Sequence, residues 1–326
     1  MANCYLVTGC AGFIASRVCE MLLADGHTVI GWDELNDAYD PRLKEWRLTR
    51  LRQYPHFSFH QIDVADRPTV EKAFPDSITA VINLAARAGV RASVVNPEVY
   101  YRANCFGTLV LLEACRRHNV KKFLLASTSS LYGAHNPVPY QEDADTSRPL
   151  SPYAASKKAA ETLAYTYHYL HGLDISIVRY FTVYGPAGRP DMSIFRFIRQ
   201  IAEGEPITVF GDGSQRRDFT FVDDIARGTI AALRPLGYEI INLGGDRSVE
   251  LNTVIAEIAR LLGKQPTIVH RPPHPADVPA TWADVSKARH VLGWTPQIPI
   301  EEGLRRCVEW YLEYRDVMRT IRLGDG

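Results

Sequence analysis

TGCAGFIA, residues 8 to 15, decides the fold. It follows the short β-branched run CYLVT (4–8) and opens a stretch, Gly12 to Asp25, with helical spacing. Gly9-x-x-Gly12-x-x-Ala15 puts small residues where a strand turns into a helix. Such a turn is tight, and its backbone N–H groups can approach a pyrophosphate at the helix N-terminus. Gly9, Gly12, Phe13 and Ile14 are therefore the first expected dinucleotide contacts. HTVIGWD (27–33) reads as a second strand and ends in Asp33, 18 positions past Ala15. A carboxylate there accepts from an adenosine ribose 2′-hydroxyl and repels a 2′-phosphate, which favours NAD over NADP.

Outward from this turn, two periodicities alternate. DPRLKEWRLTRLRQY (40–54) is a charged amphipathic helix, FSFHQID (57–63) alternates, and AVINLA (80–85) is continuously apolar. A long helix pattern (97–118), the strand KKFLLAS (121–127), a helix (152–171) and the strand ISIVRYF (175–181) follow. Strands alternating with helices, with continuous apolar strands among them, predict an α/β doubly wound parallel sheet, a Rossmann fold with helices on both faces. Its ligand crevice lies at the carboxyl ends of the strands. After Gly185 the pattern loosens into a helix (194–203), a strand-and-turn region, a Pro-rich loop (270–279) and a helical tail from Ile300 to Arg322. The expected division is a dinucleotide-binding domain at 1–180, to which later segments return, and a smaller mixed α/β substrate domain at 181–326.

The composition bounds the partners. Lys plus Arg and Asp plus Glu number 37 each, which argues against bulk nucleic-acid binding. The six cysteines form no CxxC pair and no metal-spaced cluster with histidine, so reduced core thiols in a cytoplasmic protein and no metal are expected. No basic region precedes the first apolar run, and no apolar stretch approaches the roughly 20 residues that span a bilayer.

The chemistry sits in two segments. STSSLYG (127–133) ends the strand KKFLLA and delivers Ser127, Thr128, Ser129 and Ser130 to the crevice, where hydroxyls can donate to a substrate oxygen. SPYAASKK (151–158) starts a helix with a capping Ser151 and with Pro152 at the first position. It places Tyr153 and Lys157 four apart on one face. A phenol titrates near 10; an ammonium one turn away and the positive nicotinamide of NAD both favour phenolate. A phenolate can take a hydroxyl proton while hydride leaves the same carbon. Asp63 and Val64, after the third strand, are expected at the adenine end; Leu84, Ala85 and Ala86, after the fourth, are expected along the cofactor.

TGxxGxxA, the Ser/Thr cluster and YxxxK together resemble the extended short-chain dehydrogenase/reductase superfamily in its nucleotide-sugar branch, across essentially the whole chain. In that branch the catalytic Ser/Thr lies four residues before the Tyr of a YG pair; the pair here is Tyr132-Gly133, which implies Thr128. The resemblance also implies cofactor contacts at Asn104, Ser127 and Tyr180, with Lys157 on the nicotinamide ribose. Ala15 departs from the usual Gly but stays small. The helices at 97–118 and 152–171 carry apolar residues beyond one face (Leu109 to Leu112; Leu163, Tyr165, Tyr167, Tyr169), and relatives pair such helices in a homodimer.

NDAYDPRLKEWRLTRL (36–51), AARAGVRASVVNPEVY (85–100), RYFTVYGPAGRPDM (179–192) and RRDFTFVDDI (216–225) are similar to UDP-glucuronate 4-epimerases. That resemblance implies oxidation at C4, rotation of a 4-keto sugar and return of hydride to its other face. A 4-keto group is β to the C6 carboxylate, and carbon dioxide is lost if the breaking bond aligns with the carbonyl π system. Ser129, Ser130, Thr182 and Arg189 are the expected cradle that prevents this. Galactose-type epimerases carry Asn where this chain has Thr182, and decarboxylases and dehydratases carry an acid where it has T-S-S-L. Arg217, His274 and Asp277 are the implied nucleotide contacts, Arg91 is expected to reach sugar or phosphate, and Thr281 to wall the sugar pocket. The competing readings are an epimerase of neutral UDP-hexoses, a UDP-glucuronate decarboxylase, and a non-catalytic NAD-bound regulatory protein.

Overall fold

The computed structural model describes residues 2–273 and 277–324. Its strands in chain order are β1 (Cys4–Thr8), β2 (Thr28–Asp33), β3 (Phe57–Gln61), β4 (Ala80–Asn83), β5 (Lys122–Thr128), β6 (Asp174–Tyr180), β7 (Thr182–Tyr184), β8 (Ile207–Phe210), β9 (Arg216–Arg217), β10 (Phe219–Phe221), β11 (Tyr238–Leu243), β12 (Val249–Glu250) and β13 (Ile268–Arg271). Seven of them form one sheet in the order β11-β6-β5-β4-β1-β2-β3, every pair parallel. The apolar runs explain this. Every residue of β4 and β5 is buried, as strands covered on both faces must be. The order reverses between β1 and β4, and the crevice at their carboxyl ends is where an open α/β sheet binds ligands.

Two apolar clusters cover the sheet's faces, one holding Val7, Val18, Leu22 and Ile241, the other Leu6, Val81, Leu111 and Ile177. A third, built on Phe197, Ile201, Val254, Ile258 and Val308, fills the C-terminal part. That part carries three two-stranded pairings, β7 with β10, β8 with β13 and β9 with β12. The sheet's edge strand β11 comes from beyond position 180.

Local rules fix the helices that carry the site. Helix Pro152–His171 is capped by Ser151, whose Oγ accepts from Ala154 N at 3.2 Å, and it ends at Gly172 with φ 64°. The expected 97–118 helix is helical from Pro97 to Arg117, but Tyr101–Phe106 is a π-turn between two α segments. Such bulges gather at functional sites, and this one holds Asn104. AVINLA leaves the sheet after Asn83: Ala85 N donates to Thr8 Oγ1 at 3.2 Å, and a Cβ on Gly9 would lie 2.8 Å from Ala85 Cα. Val110, Leu111, Leu112 and Tyr167 pack inside the chain, whereas Tyr165 and Tyr169 are exposed.

Candidate active site

Strand β5 ends at Thr128, and a short turn, Ser129–Tyr132, follows. The Thr128 hydroxyl accepts from Ser130 N at 3.1 Å and lies 3.2 Å from Ser130 Oγ, and it is near enough to the Tyr153 phenol to favour its ionised form. Ser129 and Ser130 sit half-buried beside it. Thr128, Ser130 and Tyr153, expected from three sequence positions, thus meet at the sheet's carboxyl edge.

Lys157 is buried on the same helix, but its Nζ donates to Ala126 O on β5 at 2.9 Å. Burial pushes the ammonium down to about 8, with Glu161 one turn further on pulling it back up. The phenol of Tyr153 moves up, opposite to the sequence expectation. Burial there outweighs the Thr128 hydroxyl and the positive field of Arg189. Desolvation favours the neutral form of a phenol.

Arg189 comes from the loop after β7. It donates to Ala88 O at 3.2 Å and pairs with Asp191. Tyr100, which the sequence reading missed, is buried with its ring edge-on to Tyr153, centroids 6.1 Å apart, and its hydroxyl lies 3.5 Å from the same Ala88 oxygen. A small cavity brings Thr182 and Arg189 together with Phe13 of the glycine turn.

A second group collects the charges expected on the nucleotide. Arg91 pairs with Asp277 at 2.6 Å and lies 3.8 Å from the ring centroid of Phe210. Arg217 stands in the field of both; burial lowers its pKa and Asp277 raises it. Its Nη1 donates to Arg216 O at 2.8 Å. His274 lies outside the described residues. The Thr281 hydroxyl accepts from Asp218 N at 3.1 Å.

A profile of the NAD-dependent epimerase/dehydratase family matches residues 5–244. A UDP-glucuronate 4-epimerase of Thermodesulfobacterium geofontis is 57% identical over 98% of this chain and 99% of its own length. The chain belongs to the NAD-dependent epimerase/dehydratase family. Two solved structures of similar proteins share the whole architecture. UDP-glucuronic acid 4-epimerase from Bacillus cereus, in complex with UDP-glucuronic acid and NAD, matches with a TM-score of 0.88 at 36% identity, over 95% of this chain and 99% of that one. UDP-glucose 4-epimerase from Thermotoga maritima, with UDP-glucose, matches with a TM-score of 0.88 at 32% identity, over 96% and 99%.

The dinucleotide crevice of this family member fits its cofactor on its own side chains. Gly9 has φ +71°, and the helix after Gly12 starts with no side chain capping it, leaving that N-terminus open to a phosphate. Ser127 Oγ is buried at the end of β5 with no partner among the described residues, as a hydroxyl awaiting a ligand would be. Asp33 is buried, accepting from Ala11 N at 3.2 Å and Leu35 N at 2.8 Å. Asp63 Oδ1 accepts from Ala65 N at 2.8 Å and its Oδ2 pairs with Arg102 at 2.6 Å; Val64 is buried beside it. Leu84 and Ala85 are half-buried and Ala86 is exposed, all directly past the end of β4. Ile14 is half-buried one residue past Phe13.

Two of the expected cofactor contacts also make hydrogen bonds within the protein. The Asn104 amide clamps the protein to itself, accepting from Arg87 N at 2.9 Å and donating to Arg87 O at 3.0 Å and Ser156 Oγ at 2.9 Å. It ties the loop after β4 to the catalytic-helix segment. The Tyr180 hydroxyl lies 2.7 Å from Thr229 Oγ1, inside the fold. The sequence reading singled out neither Lys44 nor Arg47, which it took as part of a charged amphipathic helix. Helix Pro41–Leu51 buries Leu43, Lys44, Arg47, Leu48 and Leu51 on one face. That stripe was legible in the spacing, but its two cations disguised it.

Proposed function

We propose that this chain converts UDP-glucuronate to UDP-galacturonate by epimerisation at C4, with NAD as a retained cofactor. The observation that carries the reading is the convergence of the Thr128, Ser130 and Tyr153 hydroxyls at the sheet's carboxyl edge, with no acid at positions 127–130. The relatives named for this reaction support it along the full chain. Residues 1–180 hold the dinucleotide and residues 181–326 the nucleotide sugar.

In this reading Tyr153, as phenolate, takes the C4 hydroxyl proton and returns it after the sugar has turned over. Thr128 holds the same oxygen. Bound NAD supplies the hydride acceptor and donor. Lys157 holds positive charge beneath the site and Arg189 adds a second cation beside the phenol. Asn104 fixes the loop over which the sugar turns. Ser129, Ser130, Thr182 and Arg189 hold the C6 carboxylate out of alignment with the C4 carbonyl, so no carbon dioxide leaves. Arg189 does so by exchanging Asp191 for the substrate carboxylate. Arg91, Arg217, His274 and Asp277 take the diphosphate and its ribose. The protein works as a cytoplasmic homodimer, in which the half-exposed and exposed Tyr165, Tyr169 and Leu170 are covered by the partner. Its six free cysteines suit a reducing compartment.

Proton NMR of the purified protein with UDP-glucuronate and no added cofactor tests the reaction. UDP-galacturonate is the expected product. A UDP-pentose would overturn the cradle in favour of decarboxylation, and turnover of UDP-glucose alone would move the substrate to neutral hexoses.

A further inference from the structure

The proposed reaction leaves one buried guanidinium without a role. Arg47, on helix Pro41–Leu51, is 2% exposed. Its Nη1 donates to Ala11 O in the glycine turn at 3.0 Å and to the Tyr39 hydroxyl at 2.7 Å. On the other side, Nε and Nη2 both donate to Ala187 O, at 3.2 and 2.7 Å, and Nη2 lies 3.5 Å from Gly188 O. The whole fork of donors is thus engaged, and its partners are backbone carbonyls and one phenol. Ala187 stands at φ 54°, in the left-handed region that disfavours a residue with a Cβ. Such a conformation persists where its surroundings hold it, and here two donors grip its carbonyl. Arg189 follows two residues on, its guanidinium 5.8 Å from the centroid of the same Tyr39 ring. The fork therefore joins the dinucleotide turn to the loop that presents Arg189.

We propose that Arg47 is a positioning residue for the carboxylate cradle: it braces the loop behind Arg189 against the glycine turn, and so keeps the keto intermediate from losing carbon dioxide. The proposal rests on the C4-epimerase reading and on Arg189 meeting the substrate carboxylate. Without the fork, Ala187 relaxes and the Arg189 guanidinium shifts. The C6 carboxylate then swings until the C5–C6 bond lies parallel to the C4 carbonyl π system. That bond breaks, carbon dioxide leaves, and the bonding pair becomes the enolate of C4 and C5. Water protonates C5, which leaves a UDP-4-keto-pentose. The hydride taken at oxidation either stays on the nicotinamide or returns to C4 to give a UDP-pentose.

The test follows purified protein with UDP-glucuronate and saturating NAD by proton NMR, and measures decarboxylated against epimerised product. The ratio compares two fates of one intermediate, so a variant that merely folds less well or holds less cofactor leaves it unmoved. The wild type is expected to give UDP-galacturonate with little pentose. Arg47→Met is expected to raise the decarboxylated share at least about tenfold, as a misplacement of roughly 1 Å can. Arg47→Lys keeps the charge but not the fork, and should move the share in the same direction. It carries the test alone where circular dichroism shows Arg47→Met unfolded. Adding Arg47→Met to Arg189→Gln should raise the share no further than Arg189→Gln does, since one residue acts through the other. An unchanged ratio in either folded variant overturns the proposal whatever the loss of rate, as does a full further gain in the double variant. A wild type that forms no UDP-galacturonate overturns the epimerase reading itself.

Discussion

Tyr153 and Lys157 stand one helical turn apart, and burial drives each toward its neutral form. It raises the phenol and lowers the ammonium to about 8. The proposed proton transfer needs the opposite state, phenolate beside ammonium. The protonated lysine is present below about pH 8 and is lost as pH rises through that value. Turnover is therefore expected to decline on the alkaline side from about pH 8, in a kcat profile at saturating substrate. Glu161 holds the proton on Lys157, although Arg179 pairs with it at 2.8 Å. Glu161→Gln should move the alkaline limb to lower pH, and an unmoved limb would show that another group titrates there. Tyr153→Phe should lower kcat by about 10²- to 10⁴-fold with nucleotide retention unchanged. At this scale the sequence made Tyr153, Lys157 and the hydroxyl cluster at 127–130 legible, because helix spacing and strand end are local properties, while the resemblance to the family singled out Thr128. The nearness of Arg189 and Tyr100 to the phenol was hidden, since each arrives from a different loop or helix.

The elements follow their own signals more closely. Ser151 and Pro152 start the catalytic helix where the sequence puts a cap and a first-turn proline. Ser151→Ala should cost about 1 kcal/mol in denaturant unfolding, with a larger effect on kcat than on substrate binding if the helix start frays. Asp218, between β9 and β10, is a hub that local pattern did not reveal. Its carboxylate accepts from Gly245 N, Ala283 N at 2.9 Å and Thr220 Oγ1 at 3.2 Å, and its backbone O accepts from Thr182 N at 3.0 Å. Three donors converge on two oxygens, and an amide offers only one acceptor. Asp218→Asn should destabilise by roughly 1–3 kcal/mol, measured by chemical denaturation. An unchanged midpoint would mean the donors find other partners.

The whole molecule joins its two halves across the crevice through Arg91 and Asp277, one from the segment after β4 and the other from the loop after β13. On helix Pro152–His171 the exposed Tyr165 and Tyr169 rings stack on each other, centroids 6.4 Å apart, and Tyr165 stands edge-on to Tyr238 of the edge strand β11 at 5.2 Å. Light scattering at micromolar concentration is expected to give twice the chain mass, and Tyr165→Glu with Tyr169→Glu to shift it toward the monomer.

The sequence by itself determined the parallel α/β sheet, the glycine turn, the carboxylate ending β2, and the Tyr–Lys pair. Each is written in spacing along a few consecutive turns or strands. Only the tertiary structure decided which polar groups meet: Lys44 with Asp33, Asn104 with the Arg87 backbone and Ser156, Arg189 beside Tyr153, Arg91 with Asp277. It also decided that burial opposes the ionised pair. Desolvation and Coulomb energy depend on distances between residues far apart in the chain, and local periodicity carries no record of them.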